Sequence, residues 1–313
     1  MIGYVLRRLL SGAALAIAVT AITFFLLSFS FEGVVRSLLG SGATPEAITA
    51  RTAELGFDRP VVAQYLDWLG GVVRGDFGRS LFTSEAVGPA VASRLAVTLS
   101  VVVAALAVTA ILSVVLGVLA ATRGGVIDRV TQAVSLVGMV IPALLLAILL
   151  VVVFAVQLKL LPATGFVPIT KNPTGWARSI VLPVIVLSLA GVANIAAQVR
   201  GALLDELRKD YVRTLTTRGV PVRSIVLRHA LRNASGPALT VLSLEFIGMI
   251  GGALIIEKIF ALPGFGTFSF FSSLQGDVPV IMGITLFSVV LVVTVNVVVD
   301  LVNGALNPKA RTH

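Results

Sequence analysis

Glu245 is the one ionisable side chain between Asn233 and Ile256. Read as a helix from its basic end at Asn233, at 1.5 Å per residue, it places this carboxyl about 18 Å along the axis. In a hydrocarbon core about 30 Å thick, a carboxyl there must meet a partner, line a wet cavity or keep its proton. It could therefore line a polar path or bond to a neighbouring helix. Asn194 and Gln198, four residues apart, pose the same choice, with more weight on the bond to a neighbouring helix. Pro142 interrupts the uncharged stretch 130–158, where its missing N–H predicts a kink. Covalent chemistry has little to work with. The chain has no Cys and only two His, His229 and His313, which excludes disulfides, thiolate nucleophiles and multi-His metal sites. No Ser–His or paired-Asp set stands within the apolar stretches, so an intramembrane enzyme is disfavoured.

The elements that must position these groups follow from composition. Of 313 residues 57% are hydrophobic and 12% charged, with a mean hydropathy of +1.02. A soluble domain carries about 25% charged residues, so a soluble globular enzyme, a disordered chain and a nucleic-acid-binding domain are all excluded, despite a pI near 10.8. Reading between the charges gives six apolar stretches, 9–31, 95–122, 130–158, 179–199, 233–256 and 278–299. Each is long enough for a transmembrane helix, and none shows the period-two alternation of a porin strand. The expected fold class is an all-α integral membrane protein with six transmembrane helices. The first stretch, preceded by Arg7 and Arg8, is too long for a signal-peptide core and reads as a retained helix.

Charge sorts the loops by side. Segments 1–8, 123–129, 200–232 and 304–313 hold 14 cations against four acids, a net of +10. Segments 32–94, 159–178 and 257–277 hold ten against nine, a net of +1. Cationic loops stay in the cytoplasm, so both termini are expected inside. The expected organisation is a tail and first span (1–31), an extracytoplasmic helical cap (32–94), a core of five spans (95–303) containing a cytoplasmic loop at 200–232, and a short tail (304–313).

Two loops carry structure of their own. In the cap, Thr44-Pro45 reads as a helix start, and a second helix from Pro60 would pack through Val62, Tyr65, Leu66, Leu69 and Val73. It would be a structural cap or a surface for an external partner. In the loop 200–232, Leu203, Leu204, Leu207, Tyr211 and Leu215 share one helical face. Asp205–Lys209, Asp205–Arg208 and Asp210–Arg213 are spaced for ion pairs on the other. Gly219 stands where a helix would stop and Pro221 prevents continuation. A short second helix would pack through Val222, Ile225 and Val226. The eight cations of this loop could serve topology or anionic lipid alone, but those roles do not account for a capped helix–turn–helix.

That loop also carries a resemblance. DYVRTLTTRGVPVRSIVLRHALRNASGP, from Asp210 to Pro237, resembles the cytoplasmic coupling loop of ABC-importer permeases, most closely the dipeptide/oligopeptide/nickel group. Thr214-Leu215-Thr216-Thr217-Arg218 departs from the group's small residues before the Gly, keeping helix-compatible sizes. LGFDRPVVAQYL, GDFGRSL, LPATG, EKIFALPGFG, Asp277-Val278-Pro279-Val280 and the C-terminal Asn307-Pro308-Lys309 are similar to its further motifs, in order.

The resemblance implies a type I ABC-importer permease of the bacterial inner membrane. Such a chain pairs with a second, homologous permease and two ATPase subunits, and an extracytoplasmic solute-binding protein delivers cargo. It would move di- or oligopeptides or similar small solutes inward by alternating access. The chain itself would bind no cofactor, since it lacks a phosphate loop; ATP and Mg would belong to the ATPases. Asp205, Asp210, Tyr211, Arg213, Arg218, Gly219, Arg223 and Arg228 would couple to them. Pro142, Asn194, Gln198 and Glu245 are candidates for the path, and Glu257, Pro263, Gly264 and Gly266 for an external gate loop. The competing reading is an ion-coupled secondary transporter with Glu245 as proton site. It would call for inverted repeats and further deep charges, and neither is evident.

Overall fold

A computed structural model describes residues 2–40 and 42–306; the C-terminal motif Asn307-Pro308-Lys309 lies outside the described residues. The helices are α1 (Ile2–Ser28), α2 (Phe31–Leu39), α3 (Pro45–Glu54), α4 (Val61–Val73), α5 (Val87–Arg123), α6 (Gly125–Val140), α7 (Ala143–Gln157), α8 (Pro173–Leu207), α9 (Asp210–Thr217), α10 (Val222–Ile259), α11 (Phe265–Gln275) and α12 (Val278–Leu306). Five of these are long and apolar enough to cross a membrane, and α6 with α7 makes a sixth span if the bent pair is one. Two compact units form. One joins the chain up to Ala96 with Pro263–Thr294, the other Val97–Leu262 with the residues from Val295.

In the first unit α2, α3 and α4 fold as a cap. Thr44 accepts the Ala47 amide and Pro45 opens α3, the start its sequence predicts. Phe24 of α1, Phe31, Val278 and Met282 form a buried cluster, covered by Phe57, Val61, Tyr65 and Trp68. The Phe31 and Phe57 rings stack at 4.1 Å, and the Tyr65 hydroxyl reaches Thr20 at 3.0 Å. The packed face of α4 is therefore Val61–Tyr65–Trp68. Val62, Leu66 and Val73, expected on that face, are exposed. The helix is apolar nearly all round, so aromatic contacts rather than the apolar period set its rotation. A second cluster, Val87, Val91, Phe265, Val280 and Ile284, sits beside a buried polar joint. There the Ser80 hydroxyl donates to Asp277 at 2.5 Å, and Asp277 also accepts the Leu81 amide.

In the second unit α8 is the central helix. Over half of its most apolar window is buried (56%), against 33% for α5 and 28% for α10. It packs against α6, α7 and α10. Gly117 of α5 lets that helix approach as well, for a Cβ there would stand 2.7 Å from Val199 and 2.9 Å from the Ala196 carbonyl oxygen. Gly248, Gly251 and Gly252, expected from sequence to permit close approach, have nothing within 4 Å of a built Cβ. At Pro142 the chain breaks rather than kinks, with α6 and α7 meeting at 98°. Ile141 (ψ 119°) and Pro142 (ψ 128°) are both extended. The proline ring excludes the residue before it from the helical region and removes its own donor, and two extended residues together turn the chain.

Two glycine substitutions should have opposite signs. Gly117→Ala overpacks the α5–α8 contact and should cost about 1–3 kcal/mol, lowering the unfolding temperature of the protein in detergent. Gly201→Ala, with nothing within 4 Å, should stabilise α8 by about 0.5–1 kcal/mol.

Candidate functional site

The basic loop is built from helix ends. α8 stops at Leu207, and Lys209 is extended (φ −73°, ψ 151°), so α9 begins afresh at Asp210. The single helix expected across Leu203–Leu215 is thus two. α9 ends in a Schellman turn. The Gly219 amide donates to Thr216 at 3.0 Å and the Val220 amide to Leu215 at 3.1 Å. Gly219 takes φ +75°, the left-handed conformation this cap requires. Pro221 then starts α10, which runs without a break into the fifth span. Its residues Ile225–Ala230 make i→i+5 bonds. That wider turn rotates the following residues, so Ile225, Val226 and Ala230 are buried while Val222 and Leu227 face outward. The expected face with Val222 at its start is accordingly not the one that packs.

Glu206 holds the loop together. It is 6% exposed, bonds to the Lys209 ammonium and accepts the Tyr211 hydroxyl at 3.0 Å. Asn233 of α10 donates to the Tyr211 oxygen at 3.4 Å. One carboxylate thereby ties α8, α9 and α10. The hydrogen bond to this carboxylate raises the Lys209 ammonium above the usual range, and burial raises the Tyr211 phenol. Lys209 pairs with Glu206 and not with Asp205, the partner its spacing suggested. Beneath, Leu203, Val226 and Ala230 are buried against Val118, Ala121 and Leu207. Nearby, Arg200 grips Asp128 of α6 through two hydrogen bonds, at 2.5 and 2.6 Å. Sequence reasoning passed over Glu206 and this pair. The signal was an acid at 206 continuing the buried stripe Val199–Leu203 at helical spacing.

Of the sequence-predicted coupling residues, Asp205, Asp210, Arg213, Arg218, Gly219, Arg223 and Arg228 are exposed, and Tyr211 is half-buried in the Glu206 cluster. The exposed side of α9 and its turn is a basic surface on a fixed base. Among the path candidates, Glu245 is half-buried on α10 and lies over Gly191 of α8, where a built Cβ would stand 2.9 Å from its carboxylate oxygen. Asn194 is half-buried and Gln198 exposed on α8, and Pro142 is exposed. The gate candidates separate. Glu257 is not in a loop: it is buried in the last turns of α10, where Thr98 donates to it at 2.5 Å. The Gly165 amide bonds the Phe260 carbonyl, tying LPATG to the same helix end. Pro263 and Gly264 belong to the first unit, with Gly264 at the N-terminus of α11 and Gly266 within its first turn.

Five long apolar helices, or six with the bent α6–α7 pair, define a multi-pass membrane protein. Residues 113–312 match the family described as binding-protein-dependent transport system inner membrane component. Residues 1–102 match its companion, described as the N-terminal part of such membrane components. The chain belongs to this family and is an inner-membrane permease. It is 36% identical over 312 residues to a Brucella abortus (strain 2308) protein that carries the provisional name peptide transport system permease protein, with 99% of each chain covered. It is 32% identical over 313 residues to the glutathione transport system permease protein GsiC of Escherichia coli O1:K1 / APEC, again with 99% of each covered. The solved inward-facing MetNI methionine ABC transporter shares the fold, with a TM-score of 0.52 at 18% identity over 71% of this chain and 96% of that one.

Removing the tie should loosen the loop first. Glu206→Ala leaves Lys209 and Tyr211 without their acceptor and should cost about 1–3 kcal/mol. Hydrogen exchange should then speed up across 208–220 well before the amides of α8 around Leu182 respond.

Proposed function

We propose that this chain is one of two permease subunits of an ATP-driven importer for di- or oligopeptides or similar small solutes, and that it takes its driving force through the loop 200–232. The observation that carries the proposal is the Glu206 cluster. It fixes α9 to the cytoplasmic ends of α8 and α10, so a push on the exposed face of α9 must move two spans and cannot be absorbed by a slack connection. Arg213, Arg218 and Arg223 offer an ATPase subunit a basic face, and Gly219 and Tyr211 hold its shape. ATP and Mg would be bound by those subunits. Closure of the pair would rock the spans and open the path to a solute-binding protein outside; release after hydrolysis would return it inward.

A second permease has support from two features of the surface. Irregular backbone at membrane depth is tolerated only under protein or beside water, and Ile141 and Pro142 are exposed on the chain's own surface. Gly248, Gly251 and Gly252 leave part of α10 open to close approach by another helix. Glu245, half-buried over Gly191, suits a polar point on the path. Peptide cargo rests on the printed names of the relatives.

Proline cannot adopt φ +75°, so Gly219→Pro should reduce uptake of a labelled dipeptide to background in cells carrying the whole transporter, while the protein stays in the membrane at normal abundance. Normal uptake would refute the coupling role. In proteoliposomes, transport should follow enclosed ATP and persist after the proton gradient is collapsed. Loss of transport on collapse would instead favour Glu245 as a proton site.

A further inference from the structure

A groove of about 530 Å³ runs along α10 in the second unit, with walls from α5 and α8. Its lining is almost wholly aliphatic, including Val114, Val199, Leu231, Ala238, Leu239 and Leu242. The polar side chains that reach it are Ser235 and two arginines one helical turn apart, Arg228 and Arg232. Both arginines are exposed, and both stand at the end of the groove that the charge distribution assigns to the cytoplasm.

Dimensions and chemistry select the occupant. From Leu231 to Leu242 the helix rises about 17 Å, close to the ~15 Å hydrocarbon depth of one leaflet. Arg228 and Arg232 would then lie at the level of the inner headgroups. A peptide in this groove would leave its backbone amides unpaired against Leu, Val and Ala side chains, a desolvation with nothing to offset it. An acyl chain carries no such groups. Two guanidiniums at the mouth add a match for a phosphate with its charge uncompensated, and basic pockets between cytoplasmic helix ends are suited to anionic lipid headgroups. We propose that the groove binds one anionic phospholipid of the cytoplasmic leaflet, with its phosphate on Arg228 and Arg232 and one acyl chain laid along α10 between α5 and α8. The proposal needs only the membrane orientation of the chain, and it assigns Arg228, a coupling candidate by sequence, to lipid instead.

Native mass spectrometry of the complete, detergent-purified transporter tests it, with phosphatidylglycerol and phosphatidylcholine added in turn. The wild-type protein should retain phosphatidylglycerol in preference to phosphatidylcholine. Losing two charges worth about 1 kcal/mol each should weaken that retention about thirtyfold in Arg228→Ala/Arg232→Ala. Arg228→Lys/Arg232→Lys, which keeps the charge and serves as the folding control, should preserve the preference. Ala238→Trp, which fills the groove and leaves both arginines, should abolish retention. Equal retention of the two lipids by wild type would overturn the proposal, as would unchanged retention by the double alanine variant or by Ala238→Trp. Quantitative cross-linking of a Leu239→Cys variant to the second permease would also overturn it, because the groove would then be filled by protein.

Discussion

A backbone amide in hydrocarbon has no water to bond, so a chain that crosses a membrane must pair its polar groups within its own helices. This constraint accounts for most of the architecture. It makes the helices long, removes charge from their middles and confines capped turns to their ends. The Schellman turn at Gly219, the Ser80–Asp277 joint and the Gly165–Phe260 bond all lie in segments the charge pattern places outside the apolar spans. The break at Ile141–Pro142 stands inside one. Its exposure on a single chain is explained most simply if the working unit contains more than one chain.

The same constraint shapes how force could enter. If force enters through the loop 200–232, as proposed, a soft loop would waste the motion. Here the loop is an extension of two spans. α10 continues from Pro221 to Ile259, α8 reaches Leu207, and the short α9 between them is held by one buried carboxylate. Glu206 is well placed because its charge is met by an ammonium and a phenol rather than left alone, which makes an otherwise costly burial sustainable. The Leu203–Val226–Ala230 cluster supplies the apolar backing.

What could be read from sequence was whatever is local or one-dimensional. Span positions follow from the spacing of charges. Gly219 and Pro221 signalled their turn because φ +75° and a missing N–H are properties of single residues. The Thr44-Pro45 helix start was legible for the same reason. Properties that depend on a second helix were not. The rotation of α4 follows Tyr65, which meets Phe24 and Thr20; glycines that permit close packing include Gly117 and Gly191 but not Gly248, Gly251 or Gly252; and Glu257 is a buried helical residue that Thr98 meets. The wide turn at Ile225–Ala230 altered the packed face of α10 in a way no ideal helical period contains.

The central claim is that α9 moves with α8 and α10 as one body. Spin labels at Ala197 of α8 and at Thr216 of α9 would report it in the reconstituted transporter, with and without ATP. The account predicts a single narrow distance distribution within each state, the label on α9 held as rigidly as one on a membrane helix. A broad distribution in either state would show a tethered loop, and would contradict it.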